Sequence, residues 1–104
     1  MSATTRAWTD ADILRAVDRL DFGRICTAMT ALGWRWVNAE CGGVPTEGEV
    51  RRSAIDLTRY AVDEFQRGGE RVRCASGGLS AFVSASEIRV EFVLSKGIVE
   101  REEQ

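Results

Sequence analysis

The chain is predicted to fold as an α+β domain, with helices packed on one face of a three- to four-stranded antiparallel sheet in the order α-α-β-α-β-β-β. Three observations lead there. Apolar residues recur at three- and four-residue steps between positions 9 and 33, a longer stripe of the same period runs through 47–67, and the period shortens to two over 71–95. A length of 104 residues, 44% hydrophobic and 29% charged, suits one domain, because single domains commonly run to about 100 to 200 residues. The ordered core is expected over 9–95, with 1–7 and 100–104 flexible.

Thr9, followed by Asp10 and Asp12, reads as a helix start, with a capping hydroxyl and carboxylates near the positive end of the dipole. Ile13, Leu14, Val17 and Leu20 then share one face. Asp21 is the expected cap of a second helix, in which Phe22, Ile25, Met29 and Leu32 form the stripe and Gly33 the left-handed stop. Trp34, Arg35, Trp36 and Val37 are bulky or β-branched and too few for a helix, so a short strand or extended segment is expected.

Cys41 to Pro45 reads as a loop, and Thr46 with Glu49 three residues on is a capping box. In the long helix that follows, Val50, Ala54, Leu57, Ala61 and Phe65 line one stripe, which Ile55, Tyr60 and Val62 widen, so it should pack on more than one neighbour. Arg52, Asp56, Arg59, Asp63 and Arg67 form an alternating ladder on the other face, worth about 0.2 to 0.5 kcal/mol per pair. Gly68 and Gly69 end the helix. Val72 and Cys74 then alternate with Arg71 and Arg73, Ser76-Gly77-Gly78 supplies a turn, and Leu79 to Ser84 completes a hairpin. After Ala85 and Ser86, the stretch from Glu87 to Ser95 alternates, with Ile88, Val90, Phe92 and Leu94 on one face and Glu87, Arg89, Glu91 and Val93 on the other. Ile98 and Val99 precede a charged tail. The second face of the sheet is expected to be wet.

Composition narrows the chemistry. Sixteen acidic against fourteen basic side chains, a net charge of −2, argue against a protein that wraps nucleic-acid backbone, and no direct sequence-specific nucleic-acid binding is expected. Histidine is absent, which removes the usual general base at neutral pH and the triads and zinc sites built on imidazole. Cys26, Cys41 and Cys74 are an odd number without a C-x-x-C pair. No metal and no cofactor is expected, and the thiols read as two small core residues and, at Cys41, a loop thiol. Unpaired thiols fit a reducing cytoplasm. The residues from Met1 to Arg6 lack an apolar signal core, and no apolar run approaches the roughly 18 residues of a membrane span. The expected location is therefore the cytoplasm, with no membrane partner and a monomer or homodimer as the state.

Two constellations are candidates for binding. Arg35 and Trp36, beside Trp34, have the residue types that dominate interface hot spots, although in an extended segment both tryptophans would point into the core and leave Arg35 in water. Arg71, Arg73 and Arg89 occupy outward strand positions that would gather into a cationic patch, with Glu87 and Glu91 diluting it. Phe82 competes with Leu79, Ala81 and Val83 for the core face, so its direction stays open. Sharing the outer face with Val93 and the arginines, it would give that face the mixed aromatic and arginine character of an interface core. The glycine pairs at Gly42, Gly68 and Gly77 are turn chemistry, since no Lys-Ser or Lys-Thr follows them into a helix. No catalytic residue is assigned.

The run Thr27-Ala28-Met29-Thr30-Ala31-Leu32-Gly33-Trp34-Arg35-Trp36, then Val44-Pro45-Thr46, Ser76-Gly77-Gly78-Leu79-Ser80-Ala81 and Ile88 to Leu94, resembles a group of small phage and prophage proteins of uncharacterised function. The likeness spans Phe22 to Leu94, and the chain departs from it at Cys41-Gly42-Gly43. The resemblance implies an accessory or anti-defence factor, with anti-CRISPR proteins the best-known class. It leads to the expectation of a non-catalytic inhibitor that occludes a host CRISPR-Cas effector or another defence complex, using the outer sheet face or the helix ladder. Two other classes stay open: a sponge that sequesters a nucleotide signal between arginine and aromatic groups, and a structural or regulatory phage subunit.

Overall fold

A computed structural model describes residues 7–36 and 43–93. Three helices precede three strands: α1 (Asp10–Val17), α2 (Phe22–Leu32), α3 (Glu47–Gly68), β1 (Val72–Ser76), β2 (Leu79–Val83) and β3 (Ile88–Phe92). The strands form an antiparallel sheet in the order β1-β2-β3, with Val72 opposite Val83 and Val83 opposite Ile88. The α+β class and the helix-covered sheet agree with the sequence reading.

The helix boundaries follow local chemistry. Thr9 caps α1 through a reciprocal box, its hydroxyl accepting from the Asp12 N–H while the Asp12 carboxylate accepts from the Thr9 N–H at 2.9 Å. The Asp21 side chain accepts from the Arg24 N–H at the start of α2. Thr46 and Glu49 form the second box, with the Thr46 N–H donating to Glu49 Oε1 at 2.8 Å. Both α2 and α3 end on a left-handed glycine, Gly33 and Gly69.

The core has two parts. Ile13, Ala16 and Val17 of α1 meet Ala54, Ala61, Val62 and Phe65 of α3 over Leu79, Ala81, Val83 and Val90 of the sheet. Ile25 and Met29 of α2 pack with Trp34 and Val50 at the start of α3. Leu20, Phe22, Trp36 and Phe92 touch both parts, so the corner between α1 and α2 and the end of β3 tie them together. Among the described residues, no helix is long and apolar enough to cross a membrane.

Four expectations need correction or limitation. The segment expected as a strand at 34–37 forms none among the described residues: the Trp34 N–H donates to Met29 O at 2.9 Å, closing the end of α2, the Trp36 N–H donates to Gly43 O at 3.0 Å, and Val37 lies outside them. Trp34 is held by side-chain burial instead of by a ladder. Tyr60, assigned to the apolar stripe, is 58% exposed, and Thr58 takes a fully buried place instead. The stripe is thus rotated, because α3 turns one flank to α1 and its centre to β1 and β2. The ladder on α3 closes only at Asp63 and Arg67, 2.8 Å apart; Arg59 reaches Asp10 of α1 at 3.7 Å, and Arg52 and Asp56 form no ion pair among the described residues. Cys26 and Cys74 are half-buried at the margins of the core. Cys41, Leu94, Ser95, Ile98, Val99 and both termini expected to be flexible, apart from Ala7, lie outside the described residues.

Candidate functional site

The face of the sheet turned away from the helices, uncovered among the described residues, collects most of the candidate binding residues. Inward positions are taken by Leu79, Ala81, Val83 and Val90, all buried, so strand alternation turns Arg73, Ala75, Ser80, Phe82, Arg89 and Glu91 to the opposite face. Register then sets them in rows. Arg73 stands opposite Phe82, and Phe82 opposite Arg89, while Ala75, Ser80 and Glu91 form the next row. Phe82, undecided from the sequence, therefore points outward. The inward places on β2 go to its three neighbours because two of them flank a small Ala81 that lets α3 sit close to the sheet.

The electrostatics of this face are asymmetric. Arg89 lies over the Phe82 ring, its guanidinium carbon 4.9 Å from the ring centre, and reaches Glu87 at 3.4 Å and Glu91 at 3.5 Å. Its charge is thus shared with two carboxylates, Glu91 on its own strand and Glu87 just before it. Arg71 and Arg73 are exposed and form no ion pair among the described residues. The β1 side of the face is the cationic side. Val93, next in the alternation after Arg89 and Glu91, is 52% exposed and donates its N–H to Gly78 O at 2.9 Å.

Arg35 and Trp36 do not join this group. The Trp36 indole N–H donates to Gly77 O at 3.1 Å, so the half-buried ring braces the β1–β2 turn. Arg35 is exposed in the loop, with Trp34 buried at 5% exposure beside it. Trp8 is half-buried and packs on the core, with its indole N–H donating to Ser84 O at 3.0 Å.

Neither described thiol is arranged for nucleophilic work. Burial pushes the Cys26 thiol up, aided by the Glu47 and Glu49 carboxylates, and its Sγ donates to Pro45 O at 3.3 Å. Burial likewise raises Cys74, with Glu64 adding to it. Both shifts oppose the thiolate that attack or metal ligation requires. Among the described residues no group of three or more Cys, Asp and Glu side chains is placed to hold a metal ion. A shallow, open depression lined by Phe65, Gly69, Glu70, Arg71 and Ala85 sits past the end of α3.

Sequence reasoning missed Thr58, whose buried hydroxyl has no hydrogen-bond partner among the described residues, and Ala75, whose small side chain gives no signal of its position on the edge strand of the described sheet. Comparison with protein-family models, with curated proteins and with solved structures finds no match to this chain.

Proposed function

We propose that this chain is a non-catalytic phage or prophage accessory protein that acts in the host cytoplasm by occupying a surface of a host defence protein, an anti-CRISPR in the sense the sequence resemblance implies. The observation that carries the binding part is the outward row Arg73, Phe82, Arg89. An aromatic ring under a guanidinium, flanked by a second arginine, has the composition of an interface hot spot, where Arg and aromatic groups dominate the energy. The absence of histidine and the raised thiols at Cys26 and Cys74 fit a protein that does not turn over a substrate.

The test is a titration of DNA cleavage by CRISPR effectors of the host. Inhibition is expected to saturate at about one chain per effector, as a tight binding equilibrium requires. Phe82→Ala and Arg89→Glu should relieve it while leaving the fold intact, because both side chains point away from the core. Inhibition at a small fraction of the effector concentration would instead mean turnover. A thermal shift with cyclic or ADP-ribose-type nucleotides, with no effect on any effector, would favour the sponge. Stable incorporation into virions without an effect on defence would favour the structural subunit.

A further inference from the structure

The hydrogen-bonding side of β1 carries a more specific prediction about the partner. Val93 donates its N–H to Gly78 O and Ser84 donates its N–H to Glu87 O, both at 2.9 Å. Backbone groups alternate in direction along a strand, so Gly78, Ser80, Phe82 and Ser84 direct theirs toward β3, and Leu79, Ala81 and Val83 direct theirs toward β1. Their partners on β1 are Ser76, Cys74 and Val72. The N–H and C=O of Arg73 and Ala75 therefore point away from the sheet, at an edge where, among the described residues, no donor or acceptor meets them. Such a row is a template for an added strand.

Side chains at that edge select the occupant. Arg71 and Arg73 stand two residues apart on the open face with no ion pair among the described residues, while Val72 and Cys74 on the other face are only half-buried. A fitting strand carries carboxylates at i and i+2 and aliphatic side chains between them. A second copy of this chain is disfavoured, because antiparallel pairing of β1 with itself would gather four arginines on one face. The opposite edge differs, since Arg89 on β3 is already shared between Glu87 and Glu91.

We propose that the outer edge of β1 captures an extended acidic segment of the partner protein by strand addition, with Arg71 and Arg73 pairing its carboxylates. This rests on the surface-binding reading above and names the edge and the chemistry recognised. The probe is the peptide acetyl-Thr-Glu-Val-Glu-Val-Thr-amide, with a lysine-for-glutamate version as control, followed by amide NMR and hydrogen exchange on the full chain. The expected result is slowed exchange at the Arg73 and Ala75 amides with the acidic peptide only. Ala75→Pro, which removes an outward N–H that makes no bond among the described residues, should weaken binding by about tenfold or more, the equivalent of one lost hydrogen bond of ~1.4 kcal/mol.

Equal binding of both peptides, perturbation confined to Phe82 and Arg89, concentration-dependent pairing of β1 with a second copy, or no binding at all would overturn the proposal. Should Ala75→Pro fail to fold, the exchange pattern of the unaltered chain decides. The two readings fail separately: an effector inhibited equally well by the folded Ala75→Pro variant but not by Phe82→Ala removes the edge and keeps the open face.

Discussion

Thr58 has a completely buried hydroxyl on α3 with no partner among the described residues, at a position where its neighbours Ala54, Ala61 and Val62 are apolar. A buried unsatisfied hydroxyl costs about 1 to 3 kcal/mol, whereas an isosteric methyl costs nothing of the kind. Thr58→Val is therefore expected to raise stability by about 1 kcal/mol, read as a higher urea midpoint at unchanged slope. Phe82→Ala should do little to that midpoint, because the ring leans on the Arg89 guanidinium outside the core. The described thiols give a third outcome. Since both are held protonated above their ordinary range, iodoacetamide at pH 8 should label Cys26 and Cys74 more slowly in the native chain than in urea, as followed by peptide mass spectrometry. Labelling as fast as in the unfolded chain would contradict the burial that raises them.

The turns and caps determine where the helices and strands stop, and they differ in what they tolerate. Gly77 and Gly78 have φ of 58° and 89°, positive at both central positions as the tight two-residue hairpin demands. A Cβ at Gly78 would also lie 2.9 Å from Phe92 Cε1, whereas at Gly69, with φ of 75°, it would meet nothing within 4 Å. Gly78→Ala should thus destabilise the fold more than Gly69→Ala, whose cost is the left-handed backbone alone, about 1 to 2 kcal/mol. The reverse order in denaturant titrations would mean that Phe92 yields freely. Thr46→Ala removes one half of the α3 capping box and should cost about 1 kcal/mol.

Taken as a molecule, the chain joins its elements mainly through burial, with charged pairs at the rim. Arg51 and Asp18 link α3 to the turn after α1, with the Arg51 Nε–H donating to the Asp18 carboxylate at 2.9 Å, and this bond holds the Asp18 carboxyl below its usual range. The sign follows directly. A carboxyl with a depressed folded pKa contributes stability above its unfolded pKa of about 3.9 and loses it as pH falls through the folded value. Acid titration of the Asp18→Asn variant should accordingly show a shallower loss of stability below about pH 4 than the unaltered chain. Because the pair is solvent-exposed, salt should shrink that difference.

How much of this was legible beforehand depends on the range of the interaction. Thr9, Asp21, Thr46 with Glu49, Gly33, Gly69 and the Gly77-Gly78 turn act within four residues of themselves, so helix and strand limits could be read from neighbours in the chain. Alternation along β1 and β3 likewise places Arg71, Arg73, Arg89 and Glu91 on one face from the residue order alone. Phe82 could not be placed that way, since three apolar residues in a row, Ala81 to Val83, satisfy either orientation, and the choice came from Ala81, Leu79 and Val83 packing beneath α3. The same holds for Trp36, drawn to the hairpin turn by Gly77 O, and for Tyr60, left in solvent by how α3 rests on α1 and the sheet. Local hydrogen bonding and side-chain period are written into consecutive residues, whereas rotation of a helix about its axis and the place of β1 at an edge of the described sheet are decided by contacts between segments far apart in the chain.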